Sequence, residues 1–275
     1  MRIDSVKLKT IGKASCYAVI WFVITIFSAI IIITAYAASL ASSAVFSSVL
    51  TETVQTEMIA QFQMQHAMTI ALVSNVVGTG IFLLIWRHLD KSSVQPKITS
   101  ISPLVMSLST AALIGISSFF GTALDIIGLT GSNYEAASEA FEGGHIVVKI
   151  LALCVFGPVV EELCYRGVML RKMASLDSRI AIVASALIFA VLHLNFVQGI
   201  NVFFGSLLLG YVAVKFKSIK YALIAHIALN TYALVCNELG LVIPQLPEII
   251  ISCSVVIVSL VVLIRSKINQ SVIVK

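Results

Sequence analysis

The sequence predicts an all-α fold: a polytopic membrane bundle of about eight transmembrane helices, with both termini cytoplasmic. Three observations carry this expectation. Of the 275 residues 59% are hydrophobic and 11% charged, less than half the roughly 25% charge of an average soluble domain. The mean hydropathy is +1.03. The apolar residues also gather into runs near the ~20 residues that a helix needs to cross a hydrocarbon core about 30 Å thick. Inside lipid the backbone must satisfy its own hydrogen bonds, and for such runs that means helix.

In chain order the runs are 16–42, 66–86, 103–127, 146–173, 180–194, 197–214, 221–238 and 248–264. The first follows a basic start (Arg2, Lys7, Lys9, Lys13) and contains Ala35-Tyr36-Ala37, which together imitate a secretory signal with a small-residue cleavage site. Its apolar stretch exceeds the usual core of about 7–15 residues, and seven further runs follow, so the helix is expected to be retained. Runs five and six are short and closely joined. The longest polar stretches, 43–65 and 128–144, are expected as short extracytoplasmic loops.

Charge gives the orientation, because Lys and Arg concentrate in short cytoplasmic loops. One set of connections holds Arg2, Lys7, Lys9 and Lys13, then Arg87, Lys91 and Lys97, then Arg171, Lys172 and Arg179, then Lys215, Lys217 and Lys220, and finally Arg265, Lys267 and Lys275. The alternate set holds Glu52, Glu57, Glu135, Glu139, Glu142, Glu238 and Glu248, with Lys149 the only basic residue near that face. The formal charge of +5 is thus accounted for by topology and by contact with anionic lipid, which removes nucleic acid from the expected partners. Five cysteines (Cys16, Cys154, Cys164, Cys236, Cys253) form no CxxC pair and are odd in number, so they suggest neither a disulfide framework nor a zinc knuckle.

Ionisable residues within the runs are concentrated in one of them. The first three spans have almost none at their centres, whereas the fourth reads Val159-Val160-Glu161-Glu162-Leu163-Cys164-Tyr165-Arg166. One charge at mid-helix costs about 2.5–3.5 kcal/mol on insertion scales, so such groups face a bundle interior or a wet cavity. Glu162 and Arg166 stand four apart with the acid first, the favourable order for a pair on one helical face. Glu161 lies about 100° around the helix, and a buried carboxylate without that partner is either protonated or available as a base. His193 closes the fifth run, and His226 and Asn230 share a face of the seventh. Each could be a helix-to-helix hydrogen bond or part of a shared site. Counted from the cytoplasmic ends, Glu161 comes to roughly 18 Å, His193 to roughly 20 Å, Asn230 to roughly 14 Å and His226 to roughly 8 Å, depths that permit them to meet. His66, His88 and His145 lie near membrane edges and are read as interfacial, and Gly205 and Gly210 as close-packing points beside the fifth and seventh helices.

Glu161-Glu162-x-x-x-Arg166, Phe189-x-x-x-His193 and His226-x-x-x-Asn230, in this order and on separate helices, resemble the three-motif signature of the CPBP intramembrane endopeptidases, the CaaX protease and bacteriocin-processing (Abi) family. The resemblance covers about 156–230. It implies a membrane-embedded peptidase in which Glu161 is the general base and His193 its partner in activating water. His226 and Asn230 would stabilise the oxyanion, and Glu162 and Arg166 would support the first motif. Hydrolysis of a peptide bond needs such a base, and donors aimed at the developing negative charge. The expected organisation is one integral membrane domain over 1–275, with N-terminal helices in 1–145, a catalytic helical core in 146–238 and a C-terminal helix in 239–275.

A zinc enzyme is the mechanistic rival, with Glu161, His193 and His226 as ligands and a water in the open position. HExxH is missing, however, and Asn230 is better suited as an amide donor, so no cofactor is favoured. No Ser or Cys sits in a recognisable nucleophile turn. The expected substrate is a membrane-associated peptide or protein, or a secreted peptide: bacteriocin or pheromone maturation, self-immunity, or CaaX-type processing, at a bacterial plasma membrane. The alternative is a non-catalytic immunity or scaffold protein that binds a toxin or partner. Buried Glu and His also build proton relays in transporters, but the runs show no internal repeat or paired broken helices.

Overall fold

The computed structural model describes residues 5–42, 52–89, 102–130, 144–174 and 177–266. Among these residues the chain is all-α, without strands, in agreement with the expected fold class. Among the described residues eight helical rods follow one another: α1 Ser5–Ser42, α2 Glu52–Leu89, α3 Pro103–Ile126, α4 over 146–174, α5 Ser178–Val191, α6 Phe196–Lys215, α7 Ile219–Glu238 and α8 Gln245–Arg265. Six of them (α1, α2, α3, α6, α7 and α8) are long and apolar enough to cross a membrane.

The chain forms two compact units. One contains the latter part of α1, α2 and the first half of α4; the other contains the start of α1, α3, the second half of α4 and α5 to α8. In the first of these, Trp21 Nε1 donates to Thr79 Oγ1 at 2.8 Å, and α2 comes so close to α1 that a Cβ at Gly78 would stand 2.9 Å from Thr25 Cα. Further along, Tyr36 stacks on Phe62 with ring centroids 3.6 Å apart.

Two boundaries differ from the sequence reading. Helix α1 starts at Ser5 rather than 16, and α2 starts at Glu52 rather than 66, so much of the expected loop 43–65 is helix. Residues 52–77 contain no Gly or Pro and are rich in Glu, Gln, Met and Ala, all good helix formers. Their polarity therefore marks a membrane edge and not a helix end. At 38 residues α2 is roughly 57 Å long, well beyond one hydrocarbon crossing. Glu135, Glu139, Glu142, Arg2, Lys91, Lys97, Lys267 and Lys275 lie outside the described residues, as do the side chains of Lys7, Glu52 and His88. His66 is exposed and lies against Phe62. His145 is exposed and has a local task, its Nδ1 accepting the Val147 N–H at 3.2 Å to cap α4.

In the other unit α3 packs along α8, α6 and α7, and α5 packs along α6. Gly115 permits the closest approach, since a Cβ there would stand 3.2 Å from Ser252 O of α8. Phe120 stacks on Phe204 at 4.1 Å, and Asn201 Nδ2 donates to Ser117 O and Oγ, each at 3.2 Å. Gly210 faces Ile182 of α5, as expected, but Gly205 faces Leu113 of α3, because α6 runs between these two helices. Polar ties fix the ends: Thr122 Oγ1 donates to Glu248 Oε2 at 2.8 Å, and Lys215 Nζ donates to the Leu263 and Ile264 carbonyls that close α8.

Helix α4 is not uniform. Wide i→i+5 turns over Ile150–Phe156 and Leu163–Leu170 flank one stretch of ordinary α-helix, Gly157–Glu162. Pro158 has no N–H to give, and the ladder slips just before it, with Gly157 N–H donating to Ala152 O. A Cβ at 157 would stand 2.8 Å from that oxygen, so the Gly-Pro pair suits the wide turn. Such π-helical turns recur at functional sites, and these two frame Glu161 and Glu162.

Candidate active site

Glu161 and Glu162 close the ordinary stretch of α4 and project in different directions. Glu162 is completely buried, and its Oε1 lies 3.0 Å from Arg166 NH1, whose side chain is equally buried. That nitrogen is within ion-pair distance without being aligned for a hydrogen bond; NH2 makes the aligned one, donating to Ser206 Oγ of α6 at 2.8 Å. The guanidinium also lies 4.9 Å from the centroid of Phe189 of α5, a cation–π distance. Three groups, one each from α4, α5 and α6, thus lock Arg166 into one position.

Helix α7 brings His226 to the same spot. Its Nδ1 lies 2.9 Å from Glu162 Oε1, and its Nε2 lies 3.7 Å from Glu161 Oε2. The imidazole therefore stands between the two carboxylates. Their environments differ: the Glu161 side chain is 26% exposed and that of Glu162 0%, so only Glu161 can meet a substrate or water directly. Asn230 follows one turn later on α7 and is half-buried.

His193 does not sit inside a helix as the sequence reading had it. Helix α5 ends at Val191, and His193 occupies the corner before α6. Leu194 takes up left-handed backbone there with φ 54°. Asn195 then caps α6 by accepting the Gln198 N–H at 3.0 Å. His193 Nδ1 lies 2.7 Å from the Phe189 carbonyl, which can only accept, so Nδ1 carries the proton. Its ring meets Phe189 edge-on at 4.7 Å, and it forms no ion pair with Glu161; the histidine beside Glu161 is His226. An apolar groove of about 350 Å³ adjoins the corner, lined among others by Leu187, Val191, Leu194, Phe196 and Phe203.

Among the described residues no three His, Cys, Asp or Glu side chains converge as a set that could hold a metal ion. The rival ligands Glu161 and His226 are neighbours, whereas His193 is held at Phe189. Ser206 was not expected in the site. It is one small polar residue in an apolar helix, and only its facing of Arg166 reveals its task. Asn195 did have a signal, since an Asn followed three residues later by Gln is the spacing of a capping box.

Residues 143–232 match the family model of the Rce1-like type II CAAX prenyl endopeptidases. That stretch is about a third of the chain and takes in Glu161, Glu162, Arg166, His193, His226 and Asn230. It agrees with the resemblance carried by the three motifs. Comparison with curated proteins and with solved structures found no match.

Proposed function

We propose that the protein is a multi-pass intramembrane endopeptidase that hydrolyses a peptide bond with a water activated by glutamate and histidine. One observation carries the reading: an accessible carboxylate, Glu161, lies 3.7 Å from the imidazole of His226, which is anchored on a fully buried Glu162–Arg166 pair. The accessible acid takes the proton from water, while the buried acid cannot reach a substrate. His193 is the partner of Glu161 in aligning that water, from the corner between α5 and α6. Asn230, one turn further on α7, donates to the oxyanion of the tetrahedral intermediate together with His226, whose Nε2 first takes up the proton that Glu161 draws from the water, the kind of preorganised stabilisation that dominates acyl transfer. Glu162 and Arg166 support the site, and no metal is assigned to it.

The substrate is a membrane-associated or secreted peptide, its apolar part lying along the groove beside His193. The match to CAAX prenyl endopeptidases keeps CaaX-type processing beside bacteriocin or pheromone maturation and self-immunity. The site belongs to a bacterial plasma membrane, with both termini in the cytoplasm as the basic loops suggest. Mass spectrometry of peptides from membranes and medium tests this in cells carrying the wild type, Glu161→Gln or His193→Ala at matched abundance. Products present with the wild type and absent with both variants are expected. Identical profiles, with the phenotype kept in both variants, would leave a non-catalytic immunity or scaffold protein instead.

A further inference from the structure

Two hydrogen-bonding facts meet at His226 and together determine more than the proximity of the residues. The first concerns Glu162. Its Oε1 is 3.0 Å from the guanidinium of Arg166, a group that stays protonated, and the pair is wholly excluded from solvent. Next to a permanent positive charge with no water to replace it, Glu162 is the ionised member of a buried pair, and an ionised carboxylate can only accept. The second concerns direction. The same oxygen lies 2.9 Å from His226 Nδ1, so that nitrogen must be the donor.

We propose that Glu162 is a positioning residue: by accepting the Nδ1 proton of His226 it fixes the tautomer and orientation of the ring, so that Nε2 is the atom presented to Glu161. The nitrogen left over is the one 3.7 Å from Glu161 Oε2. A histidine's working nitrogen is set in general by the hydrogen bond that the other one makes. Here the orienting acid is itself oriented, through Arg166, by Ser206 Oγ at 2.8 Å and by the Phe189 ring at 4.9 Å. Phe189 also faces the imidazole directly, with ring centroids 6.4 Å apart and planes at 79°. The chain of control runs from α6 and α5 through α4 to α7 and ends on one nitrogen.

The two adjacent glutamates thereby acquire separate tasks from a single 100° step around a helix. One meets the substrate and the other never does. The arrangement deepens the hydrolytic reading and rests on it for its purpose, but the tautomer itself can be measured without any substrate.

The experiment uses the full-length protein in lipid nanodiscs with ¹⁵N-labelled histidine, the His226 signals being identified by their loss in His226→Gln. Nitrogen-15 shifts separate a protonated ring nitrogen from a bare one. In the wild type Nδ1 is expected in its protonated form. A wild-type spectrum with Nδ1 bare and the proton on Nε2 overturns the proposal by itself, whatever the variants do. Glu162→Met/Arg166→Met removes the orienting acid without stranding a charge, and it is expected to lose the Nδ1 preference; Nδ1 protonation unchanged in that folded variant would equally sink the idea. Cleavage is read separately. If Glu161→Gln still cleaves while the tautomer is as stated, the hydrolytic reading fails and the positioning role stands.

Discussion

Replacing Arg166 by methionine leaves the Glu162 carboxylate inside the protein with no cation. Both side chains are fully buried and 3.0 Å apart, and removing one partner of such a pair typically costs about 3–5 kcal/mol. Arg166 would also forfeit its hydrogen bond to Ser206, so the upper half of that range is expected. Glu162→Met strands the guanidinium in the same way and should cost a similar amount. The double variant differs in kind. Among the described residues Glu162 Oε2 and Arg166 Nε have no hydrogen-bond partner, so the native pair recovers its desolvation incompletely, and apolar residues of similar volume often replace such pairs without loss. What remains is His226 Nδ1 deprived of its acceptor, worth about 1–3 kcal/mol. The double variant is therefore expected to be more stable than either single variant. Reversible unfolding by SDS in mixed micelles, run on all four proteins, gives the coupling directly. Costs that simply add, or an Arg166→Met cost below about 1 kcal/mol, would refute the reasoning.

Glu161→Gln is expected to lower cleavage by about 10²–10⁴-fold, the usual contribution of a general base. Its stability should change by no more than about 1 kcal/mol, since Glu161 is partly exposed and its contact with His226 is 3.7 Å; peptide release and the same unfolding assay check the two halves. Gly78→Ala forces a Cβ to 2.9 Å from Thr25 Cα and should destabilise by about 1–3 kcal/mol. Gly80→Ala, two residues on with nothing within 4 Å, should instead stabilise by about 0.5–1 kcal/mol. Gly157→Ala meets the Ala152 oxygen at 2.8 Å, and a loss of about 1–3 kcal/mol is expected, measured by the same unfolding curves.

The membrane helices were legible because a hydrocarbon core imposes a length and a polarity that composition alone records. Helix ends were less so. Residues 52–65 are polar and yet helical, since the interface changes what a side chain prefers without breaking a backbone of good helix formers. Within the site, Glu162 and Arg166 could be paired from spacing alone, because both partners lie on one helix. His226 could not be placed between two glutamates in advance: its distance to each depends on how α7 packs against α4, and no periodicity encodes that. His193 was misplaced by continuing an apolar run through Leu194, where a left-handed residue and the Asn195 cap had already turned the chain. Ser206 was invisible for the opposite reason, being an ordinary residue whose partner comes from 40 positions away.

The brevity of α5 bears on the bilayer itself. Its 14 residues rise at most about 21 Å, some two-thirds of a typical hydrocarbon core. If α5 starts at one face of the bilayer, the corner that carries His193, with Leu194 76% and Phe196 75% exposed, would lie at a depth set by the surrounding lipid. In short-chain lipid it would meet headgroups and water; in long-chain lipid it would be submerged. Hydrophobic mismatch of this kind costs only fractions of a kcal/mol per ångström, but here it falls on the one corner that adjoins the groove. Acyl-chain length becomes a dial on how wet that corner is, and the same chain would behave differently in membranes of different thickness.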